Sequence, residues 1–245
     1  MEKANYDSVF SLAGSLATRI NSLGLSQERI DGIKRGAHPE FWKHFDQLMR
    51  GDVELVETIR RIMDPSSEIQ DWQDFYQKFF GLAVDLSGVR VPEGLERTVY
   101  IAMGISINAA VKAHRDRNIP FWKYCDGDLE SVIQKSERGP VAASYAIRVK
   151  SGQEADEDLK NRSAEMIAEQ NINTENLLER LVHGLKYYDE TGKHLDVKNV
   201  TLCASSRFSY GSVPFVYRSG DGSVRVYWYF PLHRYDSLRA RRAVR

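Results

Sequence analysis

From Val224 to Phe230, side chains alternate with a period of two: Val224, Val226, Trp228 and Phe230 oppose Arg225, Tyr227 and Tyr229. Only an extended strand sends successive residues to opposite faces, and the preceding Gly220-Asp221-Gly222 suits a tight turn, so one arm of a hairpin is predicted here. The period recurs nearby. Val200, Leu202 and Ala204 oppose Thr201, Cys203 and Ser205; Val213, Phe215 and Tyr217 form the next run, and Leu238, Ala240, Arg242 and Val244 the last. Four short runs predict an antiparallel β-meander over 198–245. Its alternation aims Arg225, Arg239 and Arg241 away from the apolar face and Arg242 toward it.

The first third of the chain has a helical period instead. Val9, Leu12, Ala13, Leu16, Ala17 and Ile20 share one face after Asp7, and further helices follow around Ile30 and Ile33, from Phe41 to Met49, and from Leu55 to Met63 before Pro65. Ile69, Trp72, Phe75, Tyr76, Phe79 and Phe80 form the stripe of a fifth, read as the seam to the rest. Gly81, Gly88, Pro92 and Gly94 then change the texture, which places a boundary near Gly81: a helical domain 1–81 and an α/β domain 82–245. In the second part, strands are predicted at 99–102, 121–124 and 144–149. Helices are predicted at 106–114, 129–134, 164–169 and, after Thr174 as cap, from Leu177 to Tyr188 with Gly192 beyond its end. The fold class is α+β, a helical N-terminal region followed by an α/β body that ends in the meander.

The meander carries an unusual charge. Residues 201–245 contain eight arginines, no lysine and two acids, a local +6, while the first 200 residues hold 26 bases and 32 acids and the whole chain is neutral. Arginine without lysine favours planar, bidentate contacts, and nine aromatics lie among the eight. Outward Arg225, Tyr227 and Tyr229, joined by Arg207, Arg218, Arg239 and Arg241, form a candidate surface for nucleic acid or another polyanion, with rings stacking on bases and guanidiniums meeting phosphates. The same residues also allow a structural use, in which the arginines pair with Glu154, Asp156, Glu157 and Asp158 or with a second subunit, and the tyrosines pack across strands. Protein–protein interaction or self-association is thus the rival reading.

A third reading is enzymatic. In Asp189-Glu190-Thr191-Gly192-Lys193-His194-Leu195-Asp196, His194 and Asp196 lie on one side of an extended chain, a spacing open to a metal-assisted hydrolase, though Gly192 and Lys193 equally serve as a helix end. Asp126-Gly127-Asp128-Leu129-Glu130 lacks the ligand spacing of an EF-hand and reads as a turn and helix cap. Cys203, Ser205, Ser206 and His233 are nucleophile and base types without a nucleophile elbow. No GxGxxG, P-loop or HExxH occurs, so no cofactor and no metal is expected, and binding is favoured over catalysis. Cys125 and Cys203 lack CxxC spacing and read as small apolar residues. Leu25-Ser26-Gln27-Glu28 hints at a helix-turn-helix, but the following Phe41, Trp42 and Phe45 fit a core or partner contact. The most apolar window, 102–111, is too short for a membrane span, and the first residues lack a secretory pattern, so a cytoplasmic protein is expected.

From about Phe80 onward the chain resembles a group of proteins without established activity, found mainly in uncultivated bacteria with small genomes. The likeness lies in 80–88 (FGLAVDLSG), in 144–149 (SYAIRV) with 154–161 (EADEDLKN), and in 190–203 (ETGKHLDVKNVTLC). The ending follows suit, with Tyr227-Trp228-Tyr229-Phe230-Pro231 and Asp236-Ser237-Leu238-Arg239-Ala240-Arg241. Members of that group often carry tryptophan where this chain has Arg148. The resemblance implies a shared fold and carries no site residue.

Overall fold

The structure is a computed structural model that describes residues 65–139 and 141–245. The helices expected between Val9 and Met63, and the helix-turn-helix hint, lie outside the described residues. Helix α1, Pro65–Phe80, places Trp72, Phe75, Tyr76 and Phe79 on one stripe at spacings of three and four, and all four are buried. The Tyr76 hydroxyl donates to the Tyr100 carbonyl (2.8 Å) and accepts from the Ala102 amide (3.0 Å), so a buried polar tip fastens the helix to the end of the Arg97–Ile101 strand. Gly81 ends it at φ +66°, a left-handed conformation open to glycine, with its amide bonded to Gln77. The compact unit begins at Asp64. Gly81 therefore ends a helix inside that unit, and the boundary read there from sequence belongs to α1's C-terminus.

Beyond α1, strands β1 (Arg97–Ile101) and β4 (Tyr145–Val149) form an antiparallel ribbon, and β3 (Ile133–Ser136) pairs with β6 (Ser206–Phe208) in another. A five-stranded sheet has the order β2-β8-β7-β5-β9, with β2 Phe121–Lys123, β5 Val200–Leu202, β7 Val213–Arg218, β8 Val224–Tyr229 and β9 Leu238–Arg239. Its helices are α2 (Ile107–Asp116), α3 (Leu129–Val132), α4 (Ala164–Glu169) and α5 (Leu177–Thr191). Helices and sheets together make the α+β class.

The meander is only partly as expected. Strands β5, β7 and β8 are antiparallel neighbours, but β9 runs parallel to β5, and β2, distant in sequence, closes the other edge parallel to β8. Beyond Arg239 the chain makes single bridges, Arg242 with Thr174 and Val244 with Arg148. These backbone bonds thread it between the α4–α5 connection and β4, where period-two alternation within one sheet no longer governs.

Both faces of the sheet are used. Val216, Val224 and Val226 join the main core with α1, α2 and α5, and Leu202, Val213, Phe215 and Leu238 form a second core with Leu159, Ala164 and Ile167. The second face is the one that also carries Arg225, Tyr227 and Tyr229, because Phe215 sits opposite Tyr227 and Tyr217 opposite Arg225. Phe230, expected inward, lies past the strand end and is exposed.

Helix α5 is capped by Asn176, not Thr174. Asn176 and Glu179 form a capping box, the Asn176 side chain accepting from the Glu179 amide (2.9 Å) and the Glu179 carboxylate from the Asn176 amide (2.8 Å). Leu177, Leu181, Val182 and Leu185 are buried as the period predicts, but so are the polar Glu179, Arg180, His183 and Lys186. The helix is enclosed nearly all round.

Candidate functional site

The eight C-terminal arginines divide by what they touch. Arg239 is buried, with Nη2 2.5 Å from Glu157 and Nη1 on Asn199, and Arg242 reaches Asp158 at 3.3 Å. Arg241, 1% exposed, donates to Asp196 (2.8 Å) and to the carbonyls of Gly152 (2.9 Å) and Gln153 (2.7 Å). The expected outward direction of Arg239 and Arg241 is therefore corrected: both point into the protein, and Arg242 is the half-exposed one. The physical cause is the acidic run after Gly152, whose loop lies along the C-terminal segment through Asp156 N to Ala240 O (3.0 Å). Arg207 is turned onto its own neighbours, the carbonyls of Ala204 (2.5 Å) and Ser206 (2.8 Å). Arg218 lies opposite Val224, on the other face of the sheet from Arg225.

What remains together is Arg225, Tyr227 and Tyr229. Tyr229 is half-buried in a stack between Phe215 (4.3 Å, 13° between planes) and His233 (4.4 Å, 2°), so it packs the second core as the structural reading allowed. Tyr227 instead stacks on Trp122 of β2, centroids 5.6 Å apart and planes within 18°. The parallel register sets Trp122 beside Arg225, and hence on the same face. Trp122 is 44% exposed and Tyr227 41%. Two large rings thus lie near-parallel and open to water at the β2–β8 edge, where the second core stops.

Arg225 is oriented by the hairpin turn. Asp221 accepts from its Nη2 (2.5 Å), and Ser223 Oγ from its Nε (3.0 Å), while Ser223 also donates to Asp221 (2.6 Å). Hydrogen bonds from Ser223, then Arg225, hold the Asp221 carboxyl far below the usual range. The result is a guanidinium kept in place beside the rings with its charge largely offset. Sequence reasoning missed Trp122, whose partner strand lies a hundred residues away; its alternation within Phe121-Trp122-Lys123-Tyr124 gave the strand without the pairing.

His194 and Asp196 are separated in role. Asp196 is buried at a left-handed φ of 56°, with Oδ2 accepting from Arg180 Nε (2.9 Å) and Nη2 (2.6 Å) and from the Thr201 hydroxyl, and Oδ1 from Arg241. Burial pushes its carboxyl up, but Arg180, Arg241 and Thr201 overcome that and hold it below the usual range. The His194 ring stacks on Tyr188 at 4.7 Å, and burial, aided by Arg218 and Arg180, lowers it to about 4. Both Asp196 oxygens are engaged in the fold, which corrects the pairing of these two as metal ligands. Among the described residues no group of three or more His, Cys, Asp or Glu is arranged to hold a metal ion. Cys203 is buried, and burial raises its thiol well above the usual range, which disfavours the thiolate that a nucleophile needs. Asp128 caps α3 by accepting from the Glu130 amide (2.7 Å), as read.

No helix among the described residues is long and apolar enough to cross a membrane. Compared with models of known families, with curated proteins and with solved structures, the chain matches none.

Proposed function

We propose that the protein binds single-stranded nucleic acid without chemistry, through base stacking on the Trp122–Tyr227 pair with Arg225 as a flanking polar contact. The observation that supports this reading most is the pair itself: two rings, near-parallel, over two-fifths exposed, on an open sheet edge. A folded interior has no use for exposing both, and base–aromatic stacking is worth about 1–3 kcal/mol per base. Arg239 and Arg241 are withdrawn from the surface by Glu157 and Asp196, so phosphate attraction contributes little and stacking dominates. The rival adaptor reading loses its motive, since the acids that would meet these arginines belong to the same chain.

The test is quenching of tryptophan fluorescence by a short oligonucleotide at low salt. Trp122→Ala and Tyr227→Ala should each weaken binding by about 1–3 kcal/mol. Log affinity should fall with log salt at a slope near that of one phosphate, about −0.7, where a face of five arginines would give a slope several times steeper. Absence of binding at low salt removes the proposal, and quenching by a neutral oligosaccharide in place of the oligonucleotide moves the platform to sugars.

A further inference from the structure

A second feature shares no residue with the aromatic face. Between α3–β3 and the starts of α2 and α5 lies an open cleft of about 260 Å³. Its apolar lining comes from Ile105, Ile107, Ile133, Val141 and Leu178. Ile105, Ile107 and Leu178 are among the core residues, so the cleft reaches down to the main core. Its polar lining is concentrated on one segment, Lys135, Ser136 and Arg138, with Glu130 on α3.

Arg138 is the built part. Its Nε and Nη2 hold Glu179 (2.6 and 2.7 Å) and Nη2 also reaches the Thr174 carbonyl (2.5 Å), which locks the side chain at 7% exposure. Nη1 is left with Glu137 at 3.8 Å, beyond hydrogen-bonding reach. Glu179 in turn accepts from Tyr145 (2.7 Å), so the guanidinium is held from behind by a buried network and cannot swing away. Lys135 is exposed beside it. Ile107 at the start of α2, and Asn176 and Leu178 at the start of α5, border the same cleft.

We infer that this cleft binds a small monocarboxylate with an apolar tail, the tail on the isoleucine–leucine lining and the carboxylate at Lys135, Ser136 and the outer nitrogen of Arg138. The volume is below the ~300 Å³ where drug-sized sites begin, which sets the ligand's size. Glu130 and Glu137 flank the polar end, so a dianionic phosphate would meet about twice the like-charge repulsion that a monocarboxylate meets.

The probe is octanoate, followed by backbone amide shifts on the full chain, with octan-1-ol as the uncharged counterpart. Saturable shifts at 105–107, 133–139 and 176–178 are expected, with octanol weaker. Lys135→Glu, on an exposed side chain, should weaken octanoate about fivefold. Val141→Trp should abolish binding by filling the cleft, with the melting curve showing that the protein still folds. Shifts that do not saturate, octanol binding as tightly as octanoate, or Val141→Trp leaving octanoate binding unaltered would each overturn the inference.

Discussion

Asp196 is a buried charge with several partners. It holds Arg180, Arg241 and Thr201 at once, joining α5, β5 and the C-terminal segment through one carboxylate. Gly184 makes this possible: a Cβ there would come within 2.7 Å of Arg180 Nη1, so any larger residue displaces the guanidinium. Asp196→Asn keeps the shape and removes the charge, leaving two buried arginines without a counterion. It should lower unfolding free energy by about 3–5 kcal/mol in urea titration. The exposed Asp221→Asn serves as the control and should change stability little; equal losses would mean that burial is not what makes Asp196 matter. From sequence, Asp196 and Arg241 read as a possible ligand and an outward cation. Composition gave the right residue types, but whether an arginine meets solvent or Asp196 depends on a contact forty-five residues apart, which local alternation does not encode.

At the scale of elements, α5 is the least legible and the most informative. Its apolar stripe from Leu177 to Leu185 was evident, as was its glycine end, because both follow from local spacing. Its polar stripe, about which the apolar period says nothing, lies under the C-terminal segment and β1, where Glu175 meets His183 at 2.7 Å with both side chains fully buried. Burial pushes the Glu175 carboxyl up to about 7, against the pull of Arg241 and Arg180. Burial, then Arg97, Arg241 and Arg180, pushes the His183 imidazole well below its ordinary value. These shifts oppose each other in their effect on stability. A histidine depressed in the fold contributes stability that is present above about pH 6.5 and is lost as pH falls, since only the unfolded chain takes the proton. A carboxyl raised in the fold contributes stability present below its unfolded value of 4.5 and lost as pH rises toward 7. Between pH 7 and 4.5 the two offset one another. Glu175→Gln removes one side, so its stability should fall with decreasing pH more steeply than the parent's, by up to about 1.4 kcal/mol per pH unit. His114 and His194, both lowered to about 4, add the same slope to both proteins and cancel in the comparison. Urea titrations across that window measure it, and parallel profiles would show that Glu175 does not take up the compensating proton. The strands follow a similar division: β7 and β8 were readable from period and turn, but the parallel pairings of β2 and β9 were not, because parallel partners are remote in sequence.

At the scale of the described unit, the question is what α1 does for the sheet-bearing body. The glycines and proline after Phe80 read as a domain boundary because a helix C-terminus and a domain edge use the same residues. Burial separates the two cases. Trp72, Phe75, Tyr76 and Phe79 are enclosed by the core that also contains Val99, Ile101 and Leu181, and Lys186 from α5 binds Asp71 at 2.7 Å while lying 5.3 Å from the centre of the Trp72 ring. Burying a large apolar side chain contributes about 1.5–3 kcal/mol, so the four together match the ~5–15 kcal/mol net stability of an ordinary domain. Losing α1 would also leave the Tyr100 carbonyl and Ala102 amide without the Tyr76 hydroxyl. A chain begun at Asp64 should therefore unfold in one cooperative step in urea, monitored by circular dichroism, and a chain begun at Leu82 should show no such step. If the shorter chain unfolds with an undiminished midpoint, α1 is an appendage and the texture change at Gly81 marks a domain edge after all. Because Trp122 depends on β8 for its place, the same pair of chains links fold to function: oligonucleotide quenching should survive in the first and vanish in the second.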